Sequence, residues 1–251
     1  MQSDVYELAR AVENDHWWFR GRRAVLRAAL TATLGRSASA SILEVGCGNG
    51  GNLPLLREFG QVWAVESDAQ ARDAASARGV ATVQPGTLPD GLPVANRRFD
   101  LIALLDVLEH IEADREAIRA VRERLAPAGA LLVTVPAYNW LWTRHDDLSH
   151  HLRRYTRRSL TTVLTKAGCT VDYISYFNTA LFPLAVVRTV LDRAAPSSDP
   201  LAPLTIPPSP INTALAATFG AERLFIPRLP LPFGVSLLAI ARRDDRPFEG
   251  R

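Results

Sequence analysis

An apolar strand that runs directly into a group of glycines is the feature that most constrains this chain. Residues 41–51 read SILEVGCGNGG, so a strand predicted at 42–45 ends at the first of four glycines. Glycine at such a position lets a ligand approach the backbone more closely than any side chain permits. The helix predicted from about Leu53 points its N-terminal amides at the same place. The stretch therefore predicts a nucleotide-like ligand at the end of a strand.

The spacing of the glycines leaves the ligand open, because Gly46, Gly48 and Gly51 also satisfy the dinucleotide pattern G-x-G-x-x-G. Two acidic residues near the glycines give further evidence on the nature of the ligand. Glu44 stands where a purely structural parallel strand would carry another apolar side chain. Glu66 ends the next predicted strand, about 20 residues past the glycines, where a carboxylate binds the two hydroxyls of a ribose. A plain tight turn and an ordinary solvated carboxylate are the alternatives.

Three segments in combination resemble the class I S-adenosylmethionine-dependent methyltransferases of the small-molecule type. They read EVGCGNG at 44–50, VE at 65–66 and FDLIALLDVLEHI at 99–111. The acid before the first glycine and the D-V-L-E-H segment favour S-adenosyl-L-methionine over NAD as cofactor. The resemblance covers about 15–175, with a recognisable last strand near 236–243. It implies a doubly wound, Rossmann-like α/β fold with seven strands, the last antiparallel and inserted between the fifth and sixth.

The hydrophobic pattern independently predicts alternating strands and helices, which is typical of a parallel sheet covered on both faces. Strands are predicted at 42–45, 61–65, 81–84, 99–105, 130–135, 169–176 and 236–242. Helices are predicted at 21–34, 53–59, 68–78, 113–125 and 157–167, the fourth stopping at the Pro-Ala-Gly of 127–129.

Length and composition favour one decorated domain, since 251 residues with 47% hydrophobic content bury one substantial core. The predicted parts of this single domain, 1–251, are a helical cap at 1–40, a Rossmann-like core at 41–177 and 235–243, and a helical, proline-rich insertion at 178–234. The net charge of +3 comes from scattered arginines, which predicts no nucleic-acid partner. Two cysteines give no disulfide framework, and the N-terminus lacks the apolar core of a signal peptide, so we expect a cytoplasmic protein.

The resemblance assigns roles around the cofactor. Glu44 and the amides of Gly46 and Gly48 are expected to hold the methionyl group, and Glu66 the ribose hydroxyls. Thr87 stands where relatives carry an aspartate that contacts the adenine amino group. This contact is therefore expected to be weaker or made by backbone. The whole predicted cofactor set is Trp18, Arg23, Glu44, Gly46, Cys47, Gly48, Gly50, Asn52, Glu66, Ser67, Thr87, Leu88, Leu105, Asp106, Val107 and His110.

Alternatives stay open for several of these residues. Asp106 also suits a helix cap, and His110 also suits a surface histidine. The aromatic run HWWFR at 16–20 either packs against the sheet or covers the cofactor, with an aromatic face near the cationic sulfonium. In the second case Arg20, Arg22 or Arg23 meets the cofactor carboxylate.

The long polar connection at 136–155 leaves the strand edge where the transferred methyl group is expected. It supplies four candidate catalytic residues, because a methyl acceptor must lose a proton. These are His145, Asp146, His150 and His151. Their spacing matches no zinc signature, so no metal is expected. A loop pinned to the sheet by residues 153–155, or catalysis by positioning alone, is the alternative.

The insertion at 178–234 carries two apolar helices around a proline-rich stretch at 196–210. Neither helix has the roughly 20 uncharged residues of a membrane span. A lid for an apolar substrate, a peripheral membrane contact and a homodimer interface all remain open. The predicted function is methyl transfer from S-adenosyl-L-methionine to an O or N atom of a small, amphipathic or lipid-linked acceptor. A cofactor-binding regulatory or scaffold protein without turnover is the main alternative, and a nicotinamide-dependent reductase is a third.

Overall fold

The computed structural model describes residues 3–36, 38–94, 97–194 and 204–244. The strands are β1 (Ala40–Val45), β2 (Gly60–Glu66), β3 (Thr82–Pro85), β4 (Phe99–Leu105), β5 (Leu125–Pro136), β6 (Cys169–Phe177) and β7 (Ser236–Arg243). The helices are α1 (Ser3–Val12), α2 (Trp17–Leu34), α3 (Leu53–Arg57), α4 (Ala69–Ser76), α5 (Asp114–Arg122), α6 (Arg144–Leu148), α7 (Arg157–Lys166), α8 (Phe182–Ala194) and α9 (Ser209–Gly220). Short 3₁₀ turns lie at Leu108–His110, Asn139–Leu141 and Ala221–Leu224.

The strands form a mixed sheet in the order β3-β2-β1-β4-β5-β7-β6. Strands β1 to β5 pair in parallel, whereas β7 runs antiparallel to both β5 and β6. This confirms the predicted Rossmann-like sheet and its inserted last strand. In the register, Glu44 stands opposite Ala64 and Ala103, so β1, β2 and β4 end at one edge. Open parallel sheets bind their ligands at that edge.

Apolar side chains cover both faces of the sheet. Helices α5 and α7 contribute to one buried cluster, and α2, α3 and α9 contribute to the other. Helix α2 shows the underlying pattern, because Val25, Leu26, Ala29 and Leu30 share one face and are at most 1% exposed. Complete burial of a leucine side chain contributes about 1.5–3 kcal/mol. Burial of this face therefore fixes α2 against the sheet.

Two boundaries differ clearly from the predictions. Helix α2 begins at Trp17 rather than at 21, because the side chain of His16 caps it by accepting from the Trp18 amide at 3.2 Å. Strand β5 begins at Leu125 rather than at 130, since Leu125 already pairs with Phe99. An irregularity in that pairing accommodates the Pro-Ala-Gly segment. Helices α1 and α6 were not predicted.

The insertion rests on the N-terminal helices. A Cβ on Gly21 would lie 2.6 Å from the Phe219 ring, so only glycine allows α9 to cross α2 this closely. Asn212 of α9 accepts from the Trp17 amide at 2.8 Å. The predicted apolar helix at 211–225 is α9 followed by a 3₁₀ turn, while part of the proline-rich stretch, 196–203, lies outside the described residues. The predicted domain boundaries stay predictions.

No helix within the described ranges combines the length and the apolar character that a membrane crossing needs.

Candidate functional site

The glycine loop after β1 bends sharply and is tied to β2. Gly46 and Gly48 have φ of 73° and 52°, a region that side chains disfavour. A Cβ on Gly46 would also lie 2.7 Å from Cγ2 of Val107. The Gly46 amide donates to the Val65 carbonyl at 2.8 Å. The loop is thus held open at the sheet edge by backbone that only glycine adopts without strain.

Glu44 lies beneath this loop with one carboxylate oxygen unused. The residue is 1% exposed, and its Oε1 accepts from Asn52 Nδ2 at 3.2 Å. Its Oε2 has no hydrogen-bond partner among the described residues. Burial raises the pKa of Glu44 to about 7, although the Asn52 hydrogen bond and Arg22 oppose the shift. A buried, unpaired carboxylate oxygen beside an open glycine loop fits the ammonium group of a methionyl moiety.

Glu66 braces the loop at the end of β2. Its carboxylate accepts from the Gly48 amide at 2.7 Å, the Asp68 amide at 2.9 Å and the Ser67 hydroxyl at 3.3 Å. A carboxylate has about four lone-pair positions, so at least one acceptor position is left for a hydroxyl group. The Gly48 amide, which we expected to face the methionyl group, donates to Glu66 instead.

Asp106 directly follows β4 in a strained backbone conformation and joins two neighbouring elements, helix α2 and strand β5. Its φ is 60°, which is uncommon for a residue with a side chain. Arg22 from α2 donates to Asp106 Oδ2 at 2.8 Å and to Thr134 Oγ1 at 2.9 Å. The Thr134 hydroxyl in turn donates to Asp106 Oδ1 at 3.0 Å. The guanidinium group is 5.2 Å from the centre of the half-buried Trp18 ring.

Of the three arginines predicted to meet the cofactor carboxylate, Arg22 is the one that bonds Asp106 beyond the end of β4. Its Nε is buried without a partner among the described residues, which leaves one donor for an anionic group. Arg23, the predicted carboxylate ligand, donates instead to the Asn14 carbonyl at 3.3 Å. Arg20 is exposed. The sequence leaves Arg20, Arg22 and Arg23 as equal candidates, because helical spacing alone does not show which arginine faces the sheet.

The remaining predicted cofactor residues surround the same edge. Cys47 is buried, and burial raises the pKa of its thiol, so the thiol stays protonated. Thr87 is exposed, and its amide and carbonyl are both paired with Gly91 at 3.2 and 3.0 Å. An adenine contact from Thr87 would therefore use its hydroxyl group. The other predicted cofactor residues lie in the glycine loop, at the ends of strands or close to those ends. They are Gly50, Asn52, Ser67, Leu88, Leu105 and Val107.

The 3₁₀ turn after β4 carries Glu109 and His110. Glu109 is fully buried, and neither carboxylate oxygen has a partner among the described residues. Burial and the nearby Asp106 raise its pKa well above the usual range. The His110 ring lies edge-on to that of His151, with centroids 4.7 Å apart. Burial and His151 lower the pKa of His110 to about 4, so its imidazole is neutral at physiological pH.

Asp146 is the centre of the connection after β5 and is fully buried. Its carboxylate accepts from Arg154 at 2.8 and 2.7 Å, from the Thr143 amide at 2.7 Å and from Nδ1 of His151 at 2.8 Å. Burial acts to raise the pKa of Asp146, but the hydrogen bonds from His151 and Arg154 outweigh it and lower the pKa below the usual range. Asp146 is therefore a fixed anion that orients His151.

The other two candidate catalytic histidines have different surroundings. His150 is exposed, with φ of 55°. His145 is partly buried, its Nδ1 has no partner among the described residues, and burial lowers its pKa. Arg153 bonds Asp114 at 3.1 Å and the Tyr155 hydroxyl donates to the same carboxylate at 2.8 Å, so these residues anchor the connection to α5. The structure thus brings the ring of His151 beside that of His110, whereas His150 contacts His110 through its backbone.

An aromatic cluster adjoins these polar residues and joins segments far apart in sequence. The Tyr138 ring stacks on Tyr176 of β6 at 5.0 Å and contacts Phe182 of α8 at 5.9 Å. Trp140 and Phe233 complete the cluster through Phe182, at 6.0 and 5.4 Å. Trp140 and Phe233 are 48% and 42% exposed, so the cluster has an open apolar side.

A doubly wound sheet with an inserted antiparallel strand, a glycine loop and acids at the ends of β1 and β2 define a class I methyltransferase. A sequence profile of the methyltransferase domain family matches residues 18–174, and the chain belongs to this family. Its cofactor is S-adenosyl-L-methionine, as the sequence predicts.

Comparisons with known proteins agree on the fold. The chain is 26% identical over 144 residues to a malonyl-[acyl-carrier protein] O-methyltransferase of Enterobacter lignolyticus; the match covers 55% of this chain and 57% of that protein. The chain therefore spans little more than half the length of this curated relative. A chain in the complex of the Haloferax volcanii Trm112 activator with a putative methyltransferase superposes with a TM-score of 0.59 at 15% identity, covering 93% and 92% of the two chains. A putative sarcosine dimethylglycine methyltransferase of Galdieria sulphuraria gives 0.59 at 13% identity, covering 89% and 86%.

Proposed function

We propose that this protein transfers the methyl group of S-adenosyl-L-methionine to an oxygen or nitrogen atom of a small, amphipathic or lipid-linked acceptor. The observation that carries the proposal is the half-open aromatic cluster around Tyr138 and Phe182. Arg154 bonds the chain on either side of Tyr138 and also bonds Asp146, so the cluster lies close to the polar pair Asp146 and His151. An acceptor with an apolar body and a polar reacting group matches this pairing of surfaces.

On the cofactor side, each residue has a role that follows from its contacts. Glu44 would hold the ammonium group through its unpaired oxygen, and Arg22 would meet the carboxylate through its free donor. Glu66 would accept from the ribose while it keeps the Gly48 amide in place. The bound cofactor supplies a methyl group on a sulfonium that is already a good leaving group.

On the acceptor side, the residues position the nucleophile and handle its proton. Methyl transfer forms a bond from the acceptor lone pair to carbon as the carbon–sulfur bond breaks, and the acceptor loses its proton. Of the four predicted catalytic residues, Asp146 acts by orienting His151, whose Nε2 remains available. His145 and His150 remain predictions as catalytic groups.

The lipid-linked part of the proposal has two supports. Helix α8 follows directly from the aromatic cluster and exposes Leu184, Val187 and Leu191, at 57%, 55% and 60%, along one face. The curated relative carries in its name malonyl-[acyl-carrier protein], an acceptor that is linked to a carrier. These supports favour an acceptor with an extended apolar portion.

Labelled methyl transfer tests the proposal. The purified protein is incubated with methyl-labelled cofactor and with cell extract separated into lipid, small-molecule, protein and nucleic-acid fractions. We expect label in the lipid or small-molecule fraction, and none with the Gly46→Ala variant. Label confined to nucleic acid, or to protein in a form that thioester cleavage does not release, would contradict the acceptor class. Tight cofactor binding without label in any fraction would support the regulatory alternative instead.

A further inference from the structure

Three potential metal ligands converge beside the proposed methyl-transfer site. Glu109, His110 and His151 each offer one ligand atom, and these atoms all lie within 4.8 Å of one another. Two ligand atoms of a tetrahedral Zn²⁺ site lie about 3.4 Å apart, since each is about 2.0–2.2 Å from the ion. Small side-chain rotations would therefore bring the set to coordination distance. His151 Nε2 already lies 4.0 Å from Glu109 Oε1.

Glu109 provides the independent reason to expect a cation. It is fully buried, and both of its oxygens lack a hydrogen-bond partner among the described residues. A buried carboxylate without partners costs several kcal/mol unless it is neutralised or coordinates a cation. Arg22 acts on Glu109 electrostatically but bonds Asp106, and Arg154 bonds Asp146, so neither donates a hydrogen bond to Glu109.

His151 is oriented as metal-ligating histidines usually are. Its Nδ1 bonds the Asp146 carboxylate at 2.8 Å, which fixes the tautomer and leaves Nε2 with a lone pair towards Glu109. Such a carboxylate behind a histidine is the usual support of a ligand to zinc. Arg154 and Thr143 hold Asp146 in turn, so the ligand is rigidly placed.

We infer that Glu109, His110 and His151 form a binding site for a divalent transition-metal cation such as Zn²⁺. Two imidazoles and one carboxylate suit Zn²⁺, Fe²⁺ or Co²⁺ better than Mg²⁺, which prefers oxygen ligands and octahedral geometry. The sequence predicted no metal, because the histidines of the 136–155 connection match no zinc-binding motif. The proposed ligands come from two separate segments of the chain, so the spacing within either segment does not reveal the site.

The role of this cation rests on the proposed function. Three protein ligands leave an open coordination position that an acceptor hydroxyl or amine can occupy. With the cation bound, His151 Nε2 is a ligand and no longer acts as the base. The cation instead stabilises the deprotonated acceptor, so the proton passes to water before the lone pair attacks carbon. As the new bond to carbon forms, the bond from sulfur to carbon breaks and its electron pair stays on sulfur.

Direct metal titration tests the inference without methyl donor or acceptor. The purified full chain is stripped with a chelator and titrated with Co²⁺, whose visible absorption reports coordination by imidazole nitrogen. We expect saturable binding of one Co²⁺ per chain, displaced by Zn²⁺ but not by Mg²⁺. Glu109→Gln, His110→Gln and His151→Gln should each weaken it by about 100-fold or more, and Asp146→Asn by about 10–100-fold.

The matched control is His150→Asn, which removes an adjacent exposed histidine and keeps a side chain that tolerates its positive φ. Its Co²⁺ affinity should equal that of the parent. Thermal melting and affinity for S-adenosylhomocysteine show that each variant is folded. Glu109→Gln is isosteric and replaces a buried carboxyl group whose oxygens have no hydrogen-bond partner among the described residues. Absence of saturable binding, or equal affinity in folded ligand variants, would overturn the inference. Neither result would bear on methyl transfer itself, which the labelling experiment tests separately.

Discussion

The cofactor side and the acceptor side of the sheet edge are built from different kinds of sequence. On the cofactor side, Glu44, the glycine loop and Glu66 lie within 23 residues and are held by hydrogen bonds between adjacent strands. On the acceptor side, Tyr138, His151 and Phe182 come from a connection and an insertion. Tyr138 contacts Phe182, and His151 contacts His110 of the turn that follows β4. The cofactor side is a local sequence motif shared by a family, whereas the acceptor side is assembled only by the tertiary structure.

The largest expected effect tests the cofactor side. Gly46→Ala should lower the affinity for S-adenosylhomocysteine by about 100-fold or more, because its Cβ would lie 2.7 Å from Val107 in a backbone with φ of 73°. Gly79→Ala is the control, since Gly79 has φ of 66° with nothing within 4 Å. It should cost about 1–2 kcal/mol of stability and leave affinity unchanged. Calorimetric titration measures the affinity of both variants. An affinity of Gly46→Ala equal to that of the parent would show that the glycine loop does not form the cofactor site.

A second test uses the pKa of Glu44. Because burial raises this pKa to about 7, the carboxyl group is mostly neutral below pH 7 and cannot pair with the cofactor ammonium group. Affinity for S-adenosylhomocysteine should therefore rise about tenfold per unit between pH 5.5 and 6.5 and level off near pH 7. Glu44→Gln should bind weakly and without this dependence. An equally steep profile in Glu44→Gln would assign the effect to another group.

The same carboxyl group has the opposite effect on the stability of the ligand-free protein. Above its ordinary pKa of 4.5 the unfolded chain ionises at Glu44 while the folded chain does not. The stability from this group is therefore fully present below about pH 4.5 and is lost as pH rises to about 7. Melting of the parent relative to Glu44→Gln across this window measures it.

A smaller effect is expected where the insertion joins β6. Glu222 accepts from the amides of Asn178, Thr179 and Ala180 at 2.7, 2.6 and 3.1 Å. Glu222→Ala should destabilise the start of the insertion by about 1–3 kcal/mol, since these amides lose their acceptor. Hydrogen exchange at 178–180 should accelerate while cofactor affinity is unchanged. A matching loss of cofactor affinity would show that the two sides are coupled rather than separable.

The smallest expected effect concerns the outer face of α8. Leu184 and Val187 are more than half exposed, so the double variant Leu184→Asp, Val187→Asp should fold like the parent. If this face contacts a lipid surface, flotation with vesicles of anionic phospholipid should fall severalfold in the variant. A parent that stays entirely in the dense fraction would exclude the membrane interpretation, and a change in oligomeric state on mutation would favour the homodimer.

Much of the fold was predictable because its signals are local. The apolar runs predicted the alternation of strands and helices. The glycines and the acids at the ends of β1 and β2 carried the family resemblance, which implied the inserted last strand that the sheet order confirms. The N-terminal boundary of α2 was missed because its cap is a histidine, and the start of β5 because strand pairing overrode the turn signal of Pro127 and Gly129. Helix α6 was missed because its five residues are almost wholly polar. Helix α1 lies in the predicted helical cap, where apolar residues recur at helical spacing, but no bounds were predicted for it.

By itself, the sequence determined the class of fold and the cofactor, since a short motif at a strand end specifies backbone geometry that any such sheet reproduces. Only the tertiary structure decided that Arg22 rather than Arg23 reaches Asp106. It also brought Glu109 and His110 together with His151, and Tyr138 together with Phe182. Such choices depend on which face of a helix is buried and on contacts between segments more than 40 residues apart. Spacing along the chain does not encode them, because packing free energy depends on distance in space.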